Sequence, residues 1–269
     1  MIRSIRNLGR AGIATLLDWA AAEGWNPGLN DASAFQAADP SGFLGAFVDG
    51  VMVAGISAVA YDAHFGFIGL YICHPEWRGQ GHGKAVWDAG MAYLGNRTIG
   101  LDGVPGQQGN YAGMGFVPAY ETVRMSGALP GRPAAPTFPK GTAEAVRPLD
   151  RRCFPASRDA FLRHWLALPN LAHVQQAGGN GQAYGVLRPC RDGAKIGPLF
   201  ADTAQAATQL LDAMSGAVHI DVPARQADWC AALATRGFTA GFRTTRMYRG
   251  APADIDMDSG GGIASLELG

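Results

Sequence analysis

The sequence predicts an α/β (α+β) fold built twice, as two tandem units that are each a mixed, mainly antiparallel sheet flanked by helices. Three observations carry this expectation. Hydrophobic periodicity over residues 10–126 gives the order helix, short helix, three strands, glycine-rich turn, helix, strand, helix, strand. A similar order returns more faintly in the second half. Between the two, residues 127–141 carry Pro130, Pro133, Pro136 and Pro139 with Gly127, Gly131 and Gly141, the composition of a semi-rigid connector. The expected units are residues 1–128 and 143–269, joined by a linker over 129–142.

Ile13, Leu16, Leu17 and Ala20 recur at helical spacing within residues 10–23, and Gly24 stops that helix before Pro27-Gly28. A short helix is expected over 32–37. The runs 42–48 and 51–61 flank Asp49-Gly50, a hairpin signal because a type I′ turn needs the positive φ that Asp and Gly tolerate. Residues 65–73 are apolar throughout, as in a buried central strand, and Pro75 ends them because proline donates nothing to a ladder. A helix over 84–94, a strand over 98–104, a helix over 108–114 and a strand over 116–126 complete the first unit. In the second, 161–167 reads as a helix and 171–176, 182–188 and 195–200 as strands. A helix over 203–214, a strand over 218–222, a helix over 225–236 and a strand over 242–248 follow. Both units carry Gly-Phe before their last strand, Gly115-Phe116 and Gly237-Phe238. Residues 251–262 read as a loop, and 263–268 as a returning strand.

The composition removes several classes of function. Twenty-two basic residues balance twenty-two acidic ones, which argues against nucleic-acid binding through a broad basic field. Cys73, Cys153, Cys190 and Cys230 form no C-x-x-C pair, so buried free thiols are expected and a metal site is not. Residues 1–6 lack the apolar stretch of a signal peptide, and no run reaches the roughly 18 apolar residues of a membrane span. The expectation is a cytoplasmic protein without a membrane partner.

The segment Arg78-Gly79-Gln80-Gly81-His82-Gly83 lies between a strand and a helix, where backbone N–H groups gather at the positive helix end. A flexible connector or a diphosphate cradle both suit that place. A P-loop needs one more residue before its Gly-Lys and a hydroxyl after it, whereas Gly83-Lys84 is followed by Ala85. A dinucleotide fingerprint needs G-x-G-x-x-G after a first strand, whereas the glycines here run G-x-G-x-G after a third.

The segment from Tyr71 to Gly83 resembles the central motif of the GNAT superfamily of acyl-CoA-dependent N-acyltransferases. Arg78, Gly81 and Gly83 stand at the places of that motif, behind an apolar strand, a proline and an aromatic residue. The resemblance covers residues 1–126 in element order. It implies acetyl-CoA as co-substrate and no metal. Backbone amides of Arg78, Gly79, Gln80, Gly81, His82, Gly83 and Lys84 would cradle the CoA diphosphate, and the edge at Ile72 and Cys73 would pair with the pantetheine amides. Tyr111-Ala112-Gly113-Met114-Gly115-Phe116 matches a second landmark, which makes Tyr111 the candidate acid for the leaving thiolate. Many relatives carry Asn where this chain has Val104, so contacts to the pantetheine arm differ on that side. The wording around Glu23–Gly28, Phe67–Ile72 and Ile99–Val104 resembles a GNAT subgroup with a second, degenerate C-terminal GNAT-like domain.

An alkyl ammonium has a pKa near 10, so the acceptor amine needs a base or a water chain. The run 65–73 holds no carboxylate. Asp102 is the first candidate to bind or deprotonate the amine, with capping of the following turn as its alternative role. Glu23, Asp31 and His64 are further candidates, and Trp25 and Asn26 sit in the loop expected to line the acceptor pocket. Cys73, inside an apolar strand, reads as a buried thiol rather than a ping-pong nucleophile. The second unit has Ala201-Asp202-Thr203 where a cradle would stand, and Asp202 suits a helix cap better than a phosphate. That unit is expected to bind no CoA, and to wall the acceptor site or support a homodimer. The leading expectation is acetyl transfer to a small-molecule primary amine by direct attack. The alternatives are a non-catalytic CoA-binding module and an acyltransferase with another donor.

Overall fold

A computed structural model describes residues 3–130, 142–167, 169–175, 181–252, 254–256 and 260–269. The first half runs β1 (Arg3–Asn7), α1 (Arg10–Ala22), α2 (Asp31–Ala38), β2 (Phe43–Val48), β3 (Val51–Ala60), β4 (Phe65–Cys73), α3 (His82–Leu94), β5 (Thr98–Gly103), α4 (Gln108–Gly113) and β6 (Val117–Pro130). The second half runs α5 (Thr142–Cys153), α6 (Asp159–Trp165), β7 (Leu171–Gln175), β8 (Ala183–Pro189), β9 (Ala194–Ala201), α7 (Ala204–Asp212), β10 (Ser215–Pro223), α8 (Ala227–Thr235), β11 (Thr239–Arg249) and β12 (Gly260–Gly262). The β2–β3 turn has the expected geometry, with Asp49 at φ 47° and Gly50 at φ 88°. Most of the expected linker lies outside the described residues; its first two residues, Leu129 and Pro130, end β6.

Sequence periodicity misses β1 and α5. The β1 strand is short and charged, and it gains its ladder from β2 at the sheet edge. The α5 helix contains Pro148, which masks a helical run. The expected strand over 263–268 is not formed. The strand of that region is β12, and residues 263–269 continue as a buried turn.

The strands form a single sheet in the order β1-β2-β3-β4-β5-β11-β6-β10-β9-β8-β7, with β12 added on β9. The two halves exchange their last strands. In the centre β5 pairs with β11, β11 with β6, and β6 with β10, all antiparallel. Neither half completes its sheet without the other. A shared core reinforces this: Ile13, Phe35 and Leu70 pack in one cluster with Leu149, Phe161, Trp165 and Tyr184.

Candidate active site

Two features of β4 shape the site. Parallel pairing with β5 runs from Phe65–Thr98 only to Ile68–Leu101. Beyond it the strands part, because β4 bulges between Gly69 and Ile72 and Leu70 takes φ 46°. A left-handed non-glycine residue is uncommon, and a bulge turns a strand away from its neighbour. The result is a wedge between Leu70–Cys73 and the end of β5, with Ile72 and Cys73 paired to β3 on one edge only.

At the end of β4 the chain makes a short helical turn over Pro75–Trp77 and enters α3 through Gly79 at φ 75° and Gly81 at φ 80°. Neither glycine has a neighbour within 4 Å of a would-be Cβ, so the backbone conformation selects glycine there. Among the described residues no carbonyl accepts from the amides of Gly79, Gln80, Gly81, His82 or Lys84, the next bond being Ala85 N to Gly81 O at 3.0 Å. These amides suit a diphosphate. One expected member differs. The Arg78 amide donates to Pro75 O, while its guanidinium donates to Cys73 O at 3.0 Å and pairs with Glu23. A Cβ at Gly83 would stand 3.1 Å from the Tyr71 hydroxyl, a tight approach, and the Gly83 amide faces the Cys73 thiol and draws its pKa down. Burial pushes the Cys73 thiol up, against the pull of that amide, which leaves it unactivated. The Lys84 ammonium pairs with Asp88 at 2.6 Å, and the His82 ring packs on Trp77.

A pocket opens at the wedge. Leu70, Tyr71, Asp102, Val104 and Tyr111 line it from the first half together with Trp25, and Phe242, Thr244, Leu266 and Glu267 line it from the second. Tyr111 stacks on Trp87, with centroids 5.6 Å apart, and burial pushes its phenol well above the ordinary tyrosine range. It stays protonated at neutral pH.

The acidic and amide candidates are largely committed elsewhere. Asp102 reaches the pocket wall, but both its oxygens accept from Arg246 of β11, at 2.9 and 2.8 Å. Its side chain is fully buried, and against desolvation it holds the Arg246 guanidinium well above its usual range. The pair bolts β11 to β5. Arg246→Ala therefore leaves an uncompensated buried carboxylate and is expected to cost about 3–5 kcal/mol, read as a fall in the urea midpoint. Asp31 is buried in an ion pair with Arg188 of β8 and accepts from Gly28 N at 2.9 Å. Asn26 clamps the backbone of Asp192 across the halves, at 2.8 and 3.2 Å. Neither lines the pocket, whereas Trp25 does. The Trp25 carbonyl accepts from Arg124 and Lys195, each at 3.0 Å.

The second half repeats the geometry with its wedge filled. Parallel pairing of β9 with β10 covers Ala194–Val218 to Ile196–Ile220. Beyond it β12 pairs with β9 at Leu199 and Phe200, and Ile263 N donates to Asp221 O of β10 at 2.9 Å. The loop into α7 has no positive-φ residue; Thr203 caps that helix through Ala206 N at 3.1 Å. Asp202, expected as the cap, instead accepts from Gln182 N at 2.8 Å and pairs with Arg152. Counting back from Gly237-Phe238, Leu233 occupies the place that Tyr111 has before Gly115-Phe116. Sequence reasoning missed the pocket residues Phe242, Thr244, Leu266 and Glu267, since no motif marks a wall supplied from more than 100 residues away along the chain.

Comparisons with known proteins bear on the family and the fold. Residues 10–116 match the model of the Acetyltransferase (GNAT) family, and residues 146–259 that of an Acetyltransferase (GNAT) domain. The chain is 33% identical over 265 residues to holothin acyltransferase of Pseudoalteromonas sp. (strain SANK 73390), covering 94% of this chain and 90% of that protein. A Pyrococcus horikoshii protein classed with the acetyltransferases has the same fold at a TM-score of 0.79 and 22% identity, over 99% of this chain and 96% of that one. A tandem GNAT protein from the clavulanic acid biosynthesis pathway superposes at 0.62 and 15% identity, over 94% and 100%. Among the described residues no cluster of metal-ligating side chains occurs, and no helix is long and apolar enough to cross a membrane.

Proposed function

Because this chain belongs to the GNAT family of acyltransferases, with two tandem GNAT domains, we propose that it moves an acetyl group from acetyl-CoA to a small-molecule primary amine. The observation that carries this reading is the wedge between β4 and β5, with free amides at one end and Tyr111 beside the pocket. The relative is named for acyl transfer to holothin, and we carry the acyl-transfer activity over to this chain.

Each part has a physical task. The amides of Gly79–Lys84 receive the diphosphate, and the Ile72–Cys73 edge pairs with the pantetheine arm as an added strand would. An amide at that edge also stabilises the oxygen that gains charge during attack. The neutral amine attacks the thioester carbon, a C–N bond forms, and the C–S bond breaks. Tyr111 gives its proton to the departing sulfur and is reprotonated at the expense of the new amide nitrogen. Trp25 and Phe242 flank the acceptor side.

We assign the chemistry to residues 1–128, completed by β11 and by residues 260–269. The second unit binds no CoA in this reading, because β12 fills its wedge and Leu233 replaces the phenol. Isothermal titration is expected to give about one CoA per chain, since one cradle is open among the described residues. A donor-by-acceptor screen that follows thiol release with polyamines, amino acids, aminoglycosides and peptides is expected to find transfer to a small amine. CoA binding without transfer to any of them would replace this reading with a binding module.

A further inference from the structure

We infer that Glu267, carried by the buried turn after β12, receives the acceptor's ammonium group and removes its proton. This rests on the proposed amine transfer and supplies the base that reading lacks. Glu267 lines the pocket beside Tyr71, Tyr111 and Thr244, and it is only 2% exposed. Among the described residues neither of its carboxylate oxygens has a hydrogen-bond partner, and the Thr244 hydroxyl has none either. A buried carboxylate without partners is costly. Two orphaned polar groups thus belong to residues that line one pocket, which suits a ligand rich in N–H donors.

The other acids near the site are committed. Asp102 is held by Arg246, Asp31 by Arg188, and Glu23 by Arg78. Behind Glu267 stand cations that already have partners. Arg124 gives two bonds to Asp221, and Lys195 approaches the same carboxylate at 3.6 Å. Arg124 and Arg188 both lie within electrostatic reach of Glu267. Arg124, Arg188 and Lys195 are thus balanced by Asp31, Asp221 and Glu267. An ammonium entering this group finds its counter-charge in Glu267, the one carboxylate of the three without a bonded cation among the described residues. One proton passes to the Glu267 carboxylate before attack and is released to solvent afterwards; the second N–H proton balances the thiol.

The backbone fixes where this carboxylate stands. The carbonyls of Glu267, Leu268 and Gly269 accept from Ser57, Tyr61 and Arg158 at 3.2, 2.9 and 3.4 Å. A Cβ at Gly69 would come within 2.0 Å of the Glu267 carbonyl, so glycine on β4 admits the turn. The filled wedge of the second unit is therefore an anchor: β12 holds the segment that delivers Glu267 to the open wedge of the first.

The test uses the full chain with acetyl-CoA and two probe amines, propylamine, an ammonium at pH 7, and methoxyamine, which is neutral there. Glu267→Gln is expected to lower kcat/KM for propylamine about 100-fold, the usual weight of a general base, and to leave methoxyamine within about tenfold. It should also flatten the acidic limb of the pH profile, and Glu267→Asp should restore part of the rate. Calorimetry should show CoA bound equally by both forms, and propylamine bound to the CoA-loaded wild type but not to Glu267→Gln. Equal loss with both amines, or unchanged propylamine transfer, overturns the role of Glu267 and leaves the transferase reading standing. A wild type that binds CoA but neither binds nor acetylates propylamine overturns both.

Discussion

Tyr111→Phe is expected to lower kcat by about 100-fold or more while leaving CoA affinity unchanged, since a positioned acid contributes about 10²–10⁴. The reason lies in where the ring sits. Trp87 and Phe116 pack against it, so phenylalanine keeps the same contacts and the fold. Only the hydroxyl leaves, and with it the proton for the departing sulfur. Burial keeps the phenol protonated, and the same dry pocket penalises a bare thiolate, so the transfer answers a need that solvent does not meet. Stopped-flow turnover and calorimetric CoA binding separate the two effects. Turnover at the wild-type rate would remove Tyr111 as the acid and leave it as a packed ring.

Gly81→Glu should weaken CoA binding by at least about 100-fold with little loss of fold. Gly81 precedes α3 at φ 80°, and a side chain there meets open space rather than a neighbour. The substitution still costs about 1–2 kcal/mol of left-handed strain, which rotates the amides away from their common focus. The new carboxylate adds repulsion where a diphosphate is to lie. Gly81→Ala isolates the strain and should fall between the two. Calorimetry with CoA reads the affinity and a thermal melt reads the fold. Wild-type affinity in Gly81→Glu would move the cradle elsewhere.

The glycine turn was legible because local rules specify it; the wedge beside it was not, since the bulge of β4 and the left-handed Leu70 appear only in the paired sheet. Residues 65–73 read as a buried strand, Pro75 ended it, and the spacing of Arg78, Gly81 and Gly83 carried the family resemblance. The structure gives one of those residues a further tie: Arg78 braces the strand end against Glu23. Asp102, Asp31 and Asn26 read as functional because a polar side chain near a strand end or loop looks alike whether it faces a substrate or a partner strand. Here Asp102 and Asp31 meet arginines of the second half, at Arg246 and Arg188. Nothing local announces those arginines, since each contact spans more than 140 residues.

By itself the sequence determined the two-unit α/β plan, the hairpin at Asp49-Gly50, the glycine turn and the place of Tyr111. Periodicity and backbone preference act over a few residues, and those features need no more. Tertiary structure alone decided that β6 and β11 change places, that β12 closes the second wedge, and that Glu267 enters the first. Those outcomes rest on strand pairing and charge balance between distant segments, which only the packed sheet brings within reach of one another.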